Sequence, residues 1–285
     1  MILVGQSIHS RFIDGNLSKL ETELEQIQAA GADSCELILH CLDVVVGGRV
    51  VAPQQEAVLK ILQKYKLQYT MHMPYDINFH TKDYLDLYQA VFEAGIDFAK
   101  AAGVRALVHH FGRGPSTDGI LQEAQIIKAL AQRANGMLFC LENPTFFGFS
   151  GHSAGKNQKT MIDFLKQLDQ ENVRLTFDVG HSFLNHHGKK DLLLQELEAL
   201  LPYLGHVHLH DNFGHAFPML ENDYIHRLAC GAADLHLPLG WGDVPVPQVF
   251  ALLKGNFSGV INLEIEERFH SYYKESVDLV RTHLV

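Results

Sequence analysis

The sequence predicts an α/β fold, a single (β/α)8 barrel of the TIM type. Eight short apolar runs alternate with longer segments in which apolar residues recur at three- and four-residue spacing. Strands that alternate with helices form a parallel sheet, and eight such units close the sheet into a barrel. The chain has 285 residues, which suits one barrel of about 250 residues with added loops. We therefore expect residues 1–285 to form one barrel domain.

The eight predicted strands are short and almost continuously apolar. This pattern is typical of parallel strands that are buried on both faces. The strands are Ile2–Gly5, Ser34–Leu39, Gln68–Met73, Ala106–His110, Met137–Leu141, Arg174–Asp178, His206–His210 and Val260–Ile265.

The segments between the strands have helical periodicity. In the first of them, Leu17, Leu20, Leu24 and Ile27 lie on one helix face. Glycines follow three of the helices directly, at positions where a left-handed C-cap is favoured. The predicted helices are Leu17–Ala30, Glu56–Tyr65, Leu85–Ala102, Leu121–Ala134, Thr160–Leu168, Leu192–Leu200, Val246–Lys254 and Ser271–His283.

Three predicted loops, residues 41–53, 143–158 and 211–245, are longer or more apolar than such connections usually are. The last two follow strands at their carboxyl ends, the face where barrel enzymes keep their chemistry. These loops either pack on one another or on a second subunit, or form the wall of a pocket for a substrate with an apolar portion. A homodimer is compatible with the first interpretation. The candidate pocket residues are Tyr75, Phe146, Phe147, Phe149 and Trp241.

Composition limits the class of partner. The net charge is -10 and the isoelectric point is near 5.9, which disfavours a large contact with a nucleic-acid backbone. The apolar runs are too short to cross a membrane, so we expect no membrane span. The four cysteines form no CxxC pair, and free thiols in a reducing cytoplasm are the expectation.

Nine side chains that can bind divalent metals lie at or just beyond the ends of six apolar segments. Taken singly, each is more often structural, but together they favour a metal site at the mouth of the barrel. The set mixes carboxylate and imidazole without thiolate, which suits zinc, manganese or iron, and it can hold one to three ions. The nine residues are His72, His110, Glu142, Asp178, His181, His208, Asp234, His236 and Glu264.

The motifs HMPYDIN, HHFG, LENP, FDVGH, HLHD, DLHLPLGWG and LEI resemble, in order and spacing, those of the xylose isomerase-like TIM barrels. That superfamily includes sugar-phosphate isomerases and epimerases and the endonuclease IV group, and the resemblance covers essentially the whole chain. The resemblance to endonuclease IV implies three zinc-ligand groups: His72, His110 and Glu142; Glu142, Asp178, His208 and Glu264; and His181, Asp234 and His236. The isomerases and epimerases typically need only the second group.

The sequence also departs from the relatives it resembles. Leu235 stands where the DNA-repair enzymes have an arginine, and the apolar segment CLDVVVGGRVV replaces their basic, aromatic DNA-recognition loop. Together with the negative charge, these departures argue against duplex DNA as a partner. The ketose epimerases usually have an arginine shortly after the histidine that corresponds to His208, and the segment DNFGHAF has none.

Two enzymatic functions and one non-enzymatic function remain in view. The first is a metal-dependent isomerase or epimerase of a sugar or sugar phosphate, with Glu142 and Glu264 as the acid–base pair and His181 assisting. The alternative is a di- or trinuclear zinc hydrolase that acts on a phosphoester or another small molecule, such as a cobamide-type compound. A metal-dependent binding protein is the third. For the two enzymatic functions we expect a small-molecule substrate.

Overall fold

The computed structural model describes residues 1–146, 151–216 and 224–285, and of residues 224–226 only the backbone. Eight parallel strands close into a barrel in which each strand pairs with the next along the chain and the last pairs with the first. This architecture confirms the predicted (β/α)8 fold. The barrel strands are β1 (Ile2–Ser7), β2 (Ser34–Ile38), β3 (Gln68–His72), β4 (Ala106–His110), β5 (Leu138–Glu142), β6 (Val173–Asp178), β7 (Leu204–Leu209) and β8 (Gly259–Leu263).

All eight predicted helices are present, with ends that differ by a few residues. Within the described residues, three further helices, in residues 10–13, 179–185 and 224–230, were not predicted because each is too short to show an apolar period. The α-helices are α1 (Ser10–Ile13), α2 (Leu17–Ala29), α3 (Ala52–Leu62), α4 (Leu85–Ala102), α5 (Asp118–Arg133), α6 (Gln158–Leu168), α7 (Val179–Asn185), α8 (Lys190–Leu200), α9 (Tyr224–Cys230), α10 (Val246–Leu253) and α11 (Tyr273–Leu284).

Two of the predicted loops contain regular structure. In residues 41–53, Val45–Val46 pairs with Arg49–Val50 as a small hairpin that packs on α4. Gly48 has a φ of 75°, and a Cβ there would lie 2.8 Å from the Cβ of Ala90, so the hairpin needs glycine at this position. The predicted loop of residues 211–245 contains α9.

The apolar core lies between the barrel and its helices. Phe139 of β5 stacks on Phe92 of α4 with ring centroids 5.4 Å apart. His109 points into the same layer and packs between Phe79 and Phe92, with ring centroids 5.3 and 5.0 Å away. Its neighbour His110 faces the opposite side, as the alternation of a strand requires. Ala106 and Val108, which share the strand face of His110, form a second, small apolar cluster with Cys140.

The cysteines and the helix lengths bear on the expected free thiols and on the expected absence of a membrane span. Cys35, Cys41, Cys140 and Cys230 are all free thiols, and the first three are buried. Among the described residues, no helix is both long enough and apolar enough to span a bilayer.

Candidate metal centre

The nine predicted ligands converge at the carboxyl ends of the barrel strands. Seven of them line one cavity of about 300 Å³, and the other two, Asp178 and His208, are fully buried beside it. The seven are His72, His110, Glu142, His181, Asp234, His236 and Glu264.

The first ligand group surrounds Glu142 at the end of β5. His72 Nε2 lies 3.1 Å from Glu142 Oε2, and His110 Nε2 lies 3.4 Å from Glu142 Oε1. His72 Nδ1 is 2.6 Å from the carbonyl oxygen of Met73, so this nitrogen carries the proton and Nε2 is directed at the group. One ligand atom from each of the three side chains lies within 4.8 Å of the others, which is compatible with one ion.

The central group contains His208, whose Nδ1 faces three carboxylates. It lies 3.4 Å from Glu142 Oε1, 3.4 Å from Glu264 Oε1 and 3.8 Å from Asp178 Oδ2. Glu142, Asp178 and His208 also satisfy the 4.8 Å limit for a common ion. The four residues that the resemblance assigns to one ion are therefore adjacent.

The outer group is centred on Asp234. Its Oδ2 lies 3.1 Å from His181 Nε2 and 3.0 Å from His236 Nε2, and its Oδ1 lies 3.6 Å from His210 Nε2. His210 was not among the predicted ligands, although it alternates with His206 and His208. The ring of His210 stacks on His236 with centroids 4.1 Å apart, which makes a four-residue group.

Local backbone contacts hold His181 in place. Asp178 caps the amino end of α7, and its Oδ1 accepts a hydrogen bond of 2.6 Å from the amide of His181. His181 Nδ1 is 3.0 Å from the carbonyl oxygen of Asn143, and the Asn143 side chain bonds the backbone N–H and C=O of Asp178. The motifs LENP and FDVGH therefore form one hydrogen-bonded unit.

A second layer of polar groups lies inside the barrel, below the ligands. Glu36 of β2 is fully buried, with one oxygen 3.0 Å from His206 Nε2 and the other 2.9 Å from His208 Nε2. Thr70 and Asn262 donate hydrogen bonds to the same carboxylate. Glu36 was not predicted as a site residue, and the only sequence signal was an acid in the otherwise apolar run SCELI.

Acidic and basic side chains alternate through the site, and they shift the pKa values of one another. Burial alone would raise the pKa of Glu142, but the charges of His110 and His208 hold it well below its usual range. Burial opposes the protonation of His181, yet Asp178 and Asp234 raise the pKa of this imidazole well above its usual range. Burial also lowers the pKa of His236, but the charge of Asp234 outweighs burial and raises this pKa to about 10.

The donor atoms fit a divalent cation. Asp178 Oδ2, Asp234 Oδ1, His208 Nδ1 and both ring nitrogens of His210 are buried and have no hydrogen-bond partner among the described residues. Buried polar atoms without partners are costly, and a bound ion would satisfy the carboxylate oxygens and the one imidazole nitrogen of each ring that face it. Mixed carboxylate and imidazole donors suit zinc, manganese or iron.

The candidate pocket residues separate into three cases. Tyr75 lines the cavity, with its ring edge-on to His72 at 4.7 Å. Trp241 packs instead on Phe269 and Tyr272, and the amide of Phe146 donates to Asn185. Within the described part of the chain, neither Trp241 nor Phe146 lines the cavity. Phe147 and Phe149 lie outside the described residues.

A family model described as the xylose isomerase-like TIM barrel matches residues 24–283. The chain belongs to this family. Solved structures also share the fold of this xylose isomerase-like barrel. A D-tagatose 3-epimerase-like protein is 21% identical with a TM-score of 0.73, over 98% of both chains. A D-psicose 3-epimerase is 14% identical with a TM-score of 0.73, over 99% of both chains. The 3-keto-D-glucoside 4-epimerase YcjR from E. coli is 17% identical with a TM-score of 0.68, over 99% of this chain and 100% of its own.

The sequence is also similar to that of the uncharacterized protein MJ1311 of Methanocaldococcus jannaschii. The two are 29% identical over 131 residues, which are 45% of this chain and 37% of that protein. The chain thus matches little more than a third of the length of this relative.

Proposed function

We propose that this xylose isomerase-like barrel is a metal-dependent isomerase or epimerase of a sugar or sugar phosphate. The observation that carries the proposal is the placement of Glu142 and Glu264. Both carboxylates lie 3.4 Å from His208 Nδ1, beside Asp178, and both line the cavity. The epimerases that share the fold over almost their whole length support this choice of reaction.

The chemistry requires a proton to leave and return at a carbon next to a carbonyl. A divalent ion, zinc or manganese by preference, would be held by Glu142, Asp178, His208 and Glu264 and would polarise the carbonyl and its neighbouring hydroxyl. Glu142 and Glu264 come from β5 and β8. One carboxylate takes the proton from the carbon, and the other returns a proton.

His181 assists the carboxylates. Its Nδ1 lies 3.2 Å from Glu142 Oε1, and its Nε2 lies 3.1 Å from Asp234 Oδ2. An imidazole held between two carboxylates can donate a proton to the substrate oxygen on which negative charge develops. Tyr75 contributes an aromatic surface at the cavity mouth, with 44% of the residue exposed.

Solvent exchange tests the reaction directly. Metal-loaded protein is incubated in D2O with a panel of ketoses and ketose phosphates, and deuterium at the carbon beside the carbonyl is measured by NMR. We expect exchange in the wild type and a loss of roughly 10²–10⁴-fold in Glu142→Gln and Glu264→Gln. The control Glu196→Gln removes a buried carboxylate that bonds Ser182 and His186, and it should retain exchange. Absence of exchange with the whole panel would contradict the proposal.

The outer group favours a hydrolase as the second candidate. An isomerase needs only the central group, whereas His181, His210, Asp234 and His236 offer a further site. Two or three zinc ions could activate water and stabilise the charge that develops on a phosphoester. About one ion per chain in the loaded protein supports the isomerase. Two or three zinc ions with phosphoester cleavage support the hydrolase.

The proposed ligand is a small molecule, and the net charge of -10 argues against duplex DNA. Nicking of a duplex that contains an abasic site, at neutral pH, would contradict this part of the proposal.

A further inference from the structure

One part of the cavity wall carries cationic side chains that are not among the candidate metal ligands. His9 and Arg11 follow β1 and line the same cavity as the predicted ligands. Arg227 of α9 lines it too. Among the described lining residues outside the ligand set, Glu266 is the one carboxylate. This part of the wall therefore carries more positive than negative groups.

His9 is anchored by a buried carboxylate. Its amide donates a hydrogen bond of 2.7 Å to Glu23 Oε2, and its Nδ1 lies 2.9 Å from Glu23 Oε1. The hydroxyl of Tyr273 is 3.5 Å from the same nitrogen. With Nδ1 occupied in this way, Nε2 is the nitrogen that remains for a ligand in the cavity.

Glu23 occupies an apolar position. It lies on the face of α2 that buries Leu20, Leu24 and Ile27, and its own exposure is 1%. A carboxylate at such a place is costly unless it is paired. Both of its oxygens bond His9, so this buried acid fixes the orientation of one imidazole at the cavity.

The charge of Glu23 also favours the imidazolium form. Burial lowers the pKa of His9, but the hydrogen bond and the charge of Glu23 outweigh burial and raise it above its usual value. Glu266 acts in the same direction, and His236 opposes it. His9 therefore presents a charged donor, and exposed Arg11 presents a second one two residues further on.

We infer that His9 and Arg11 bind an anionic group of the substrate, a phosphate or a carboxylate, while Glu23 orients His9. The inference deepens the proposed function, because it takes the cavity as the substrate site and narrows its substrate to charged sugars. In this role Glu23 is a positioning residue, since it acts through His9.

Binding to the metal-loaded protein tests the inference independently of turnover. Calorimetric titrations compare inorganic phosphate, D-fructose 6-phosphate, D-glucuronate and D-fructose. We expect the wild type to bind at least one of the three anions more tightly than D-fructose. The titrations distinguish the two kinds of anion. Tighter binding of the two phosphate-bearing ligands identifies a phosphate site, whereas tighter binding of D-glucuronate identifies a carboxylate site.

Because a bound metal ion can also bind anions, variants are needed to distinguish anion binding by His9 and Arg11 from anion binding by the metal. His9→Gln and Arg11→Ala should each weaken binding of the preferred anion by about tenfold to a hundredfold, with metal content and D-fructose affinity unchanged. Glu23→Gln should give a smaller loss. Because Arg11 is exposed, its replacement leaves the fold intact even where a change at His9 does not.

A matched control exists on α7 and α8. His186 is paired with the buried carboxylate of Glu196 at 2.9 Å, but it lies away from the cavity lining. His186→Gln should leave anion binding unchanged. Equal anion affinity in the wild type, His9→Gln and Arg11→Ala would overturn the inference. A protein that binds anions through this wall but shows no proton exchange would overturn only the proposed reaction.

Discussion

Glu36 Oε1 lies 2.9 Å from His208 Nε2 in the closed interior of the barrel. The contact sets the orientation of the imidazole, because the opposite nitrogen, Nδ1, then faces Glu142 and Glu264 at 3.4 Å. A carboxylate behind a histidine fixes both its ring orientation and its tautomer, and it makes the free nitrogen a stronger ligand. Under the proposed function, Glu36 would therefore orient His208 for an ion held at Nδ1.

Glu36→Gln should lower the affinity of the central group for a divalent ion by about tenfold to a hundredfold. The amide keeps the volume and can still contact Thr70, but it no longer places a negative charge behind His208. Competition with a chromophoric chelator measures the affinity. Glu196→Gln, which changes a buried carboxylate outside the site, should leave the affinity unchanged. Equal affinities in the Glu36 variant and the wild type would show that the carboxylate does not act through His208.

The barrel and the convergence of the candidate ligands could be predicted because both depend on local sequence. The predicted strands end at Met73, Leu141 and Asp178, within one residue of the observed ends at His72, Glu142 and Asp178. Parallel strands in a closed barrel place their carboxyl ends at one rim, so topology alone brings these residues together.

The supporting residues could not be predicted because their partners are distant in sequence. Glu36 meets His206 across the barrel, and Glu23 meets His9 across the segment that contains α1. An acid in an apolar run shows that some partner must exist, but the identity of the partner depends on which strands the closed sheet brings together. The contacts of aromatic residues in loops, such as the packing of Trp241 on Phe269 and Tyr272, could not be predicted for a related reason, because tertiary contacts determine loop packing.

Asp211 should be a strong determinant of stability. Its carboxylate accepts hydrogen bonds from the amides of Asn212, Gly240 and Val244 at 2.9, 2.8 and 3.1 Å, and it thereby holds the loop that follows His236. Asp211→Ala would leave these amides without an acceptor and should lower the free energy of unfolding by about 2–4 kcal/mol. Urea denaturation measures the change.

Asp163→Ala is the matched control for Asp211. Asp163 is exposed and pairs with Lys159 one helical turn away at 2.7 Å. Such exposed pairs contribute little to stability, because solvent screens the two charges. A loss for Asp211→Ala no larger than that of the control would contradict the role of the buried carboxylate.

Gly180 should be intolerant of alanine although it lies in a helix. Alanine normally stabilises a helix by about 1 kcal/mol relative to glycine. Here a Cβ would lie 2.1 Å from Cε1 and 2.4 Å from Nε2 of His210, so the ring must move away from Asp178 and Asp234. Gly180→Ala should therefore lower the melting temperature and weaken metal binding in the outer group.

The double variant Gly180→Ala/His210→Ala isolates the steric contact. Removing the ring removes the clash, so the double variant should be more stable than the sum of the single changes implies. Additive effects would place the cause elsewhere in α7.

Replacing Glu142 should remove more bound ions than replacing His236. Glu142 contacts His72 and His110 and also faces His208, so it belongs to two ligand groups, whereas His236 belongs to the outer group alone. Glu142→Ala should therefore abolish ion binding by the first and central groups together with proton exchange, and His236→Ala should remove at most one ion and retain exchange. Mass spectrometry of the loaded protein under native conditions counts the ions per chain. Because an isomerase needs only the central group, loss of exchange in His236→Ala with the central ion still bound would contradict this assignment and would show that the exchange reaction also requires the outer group.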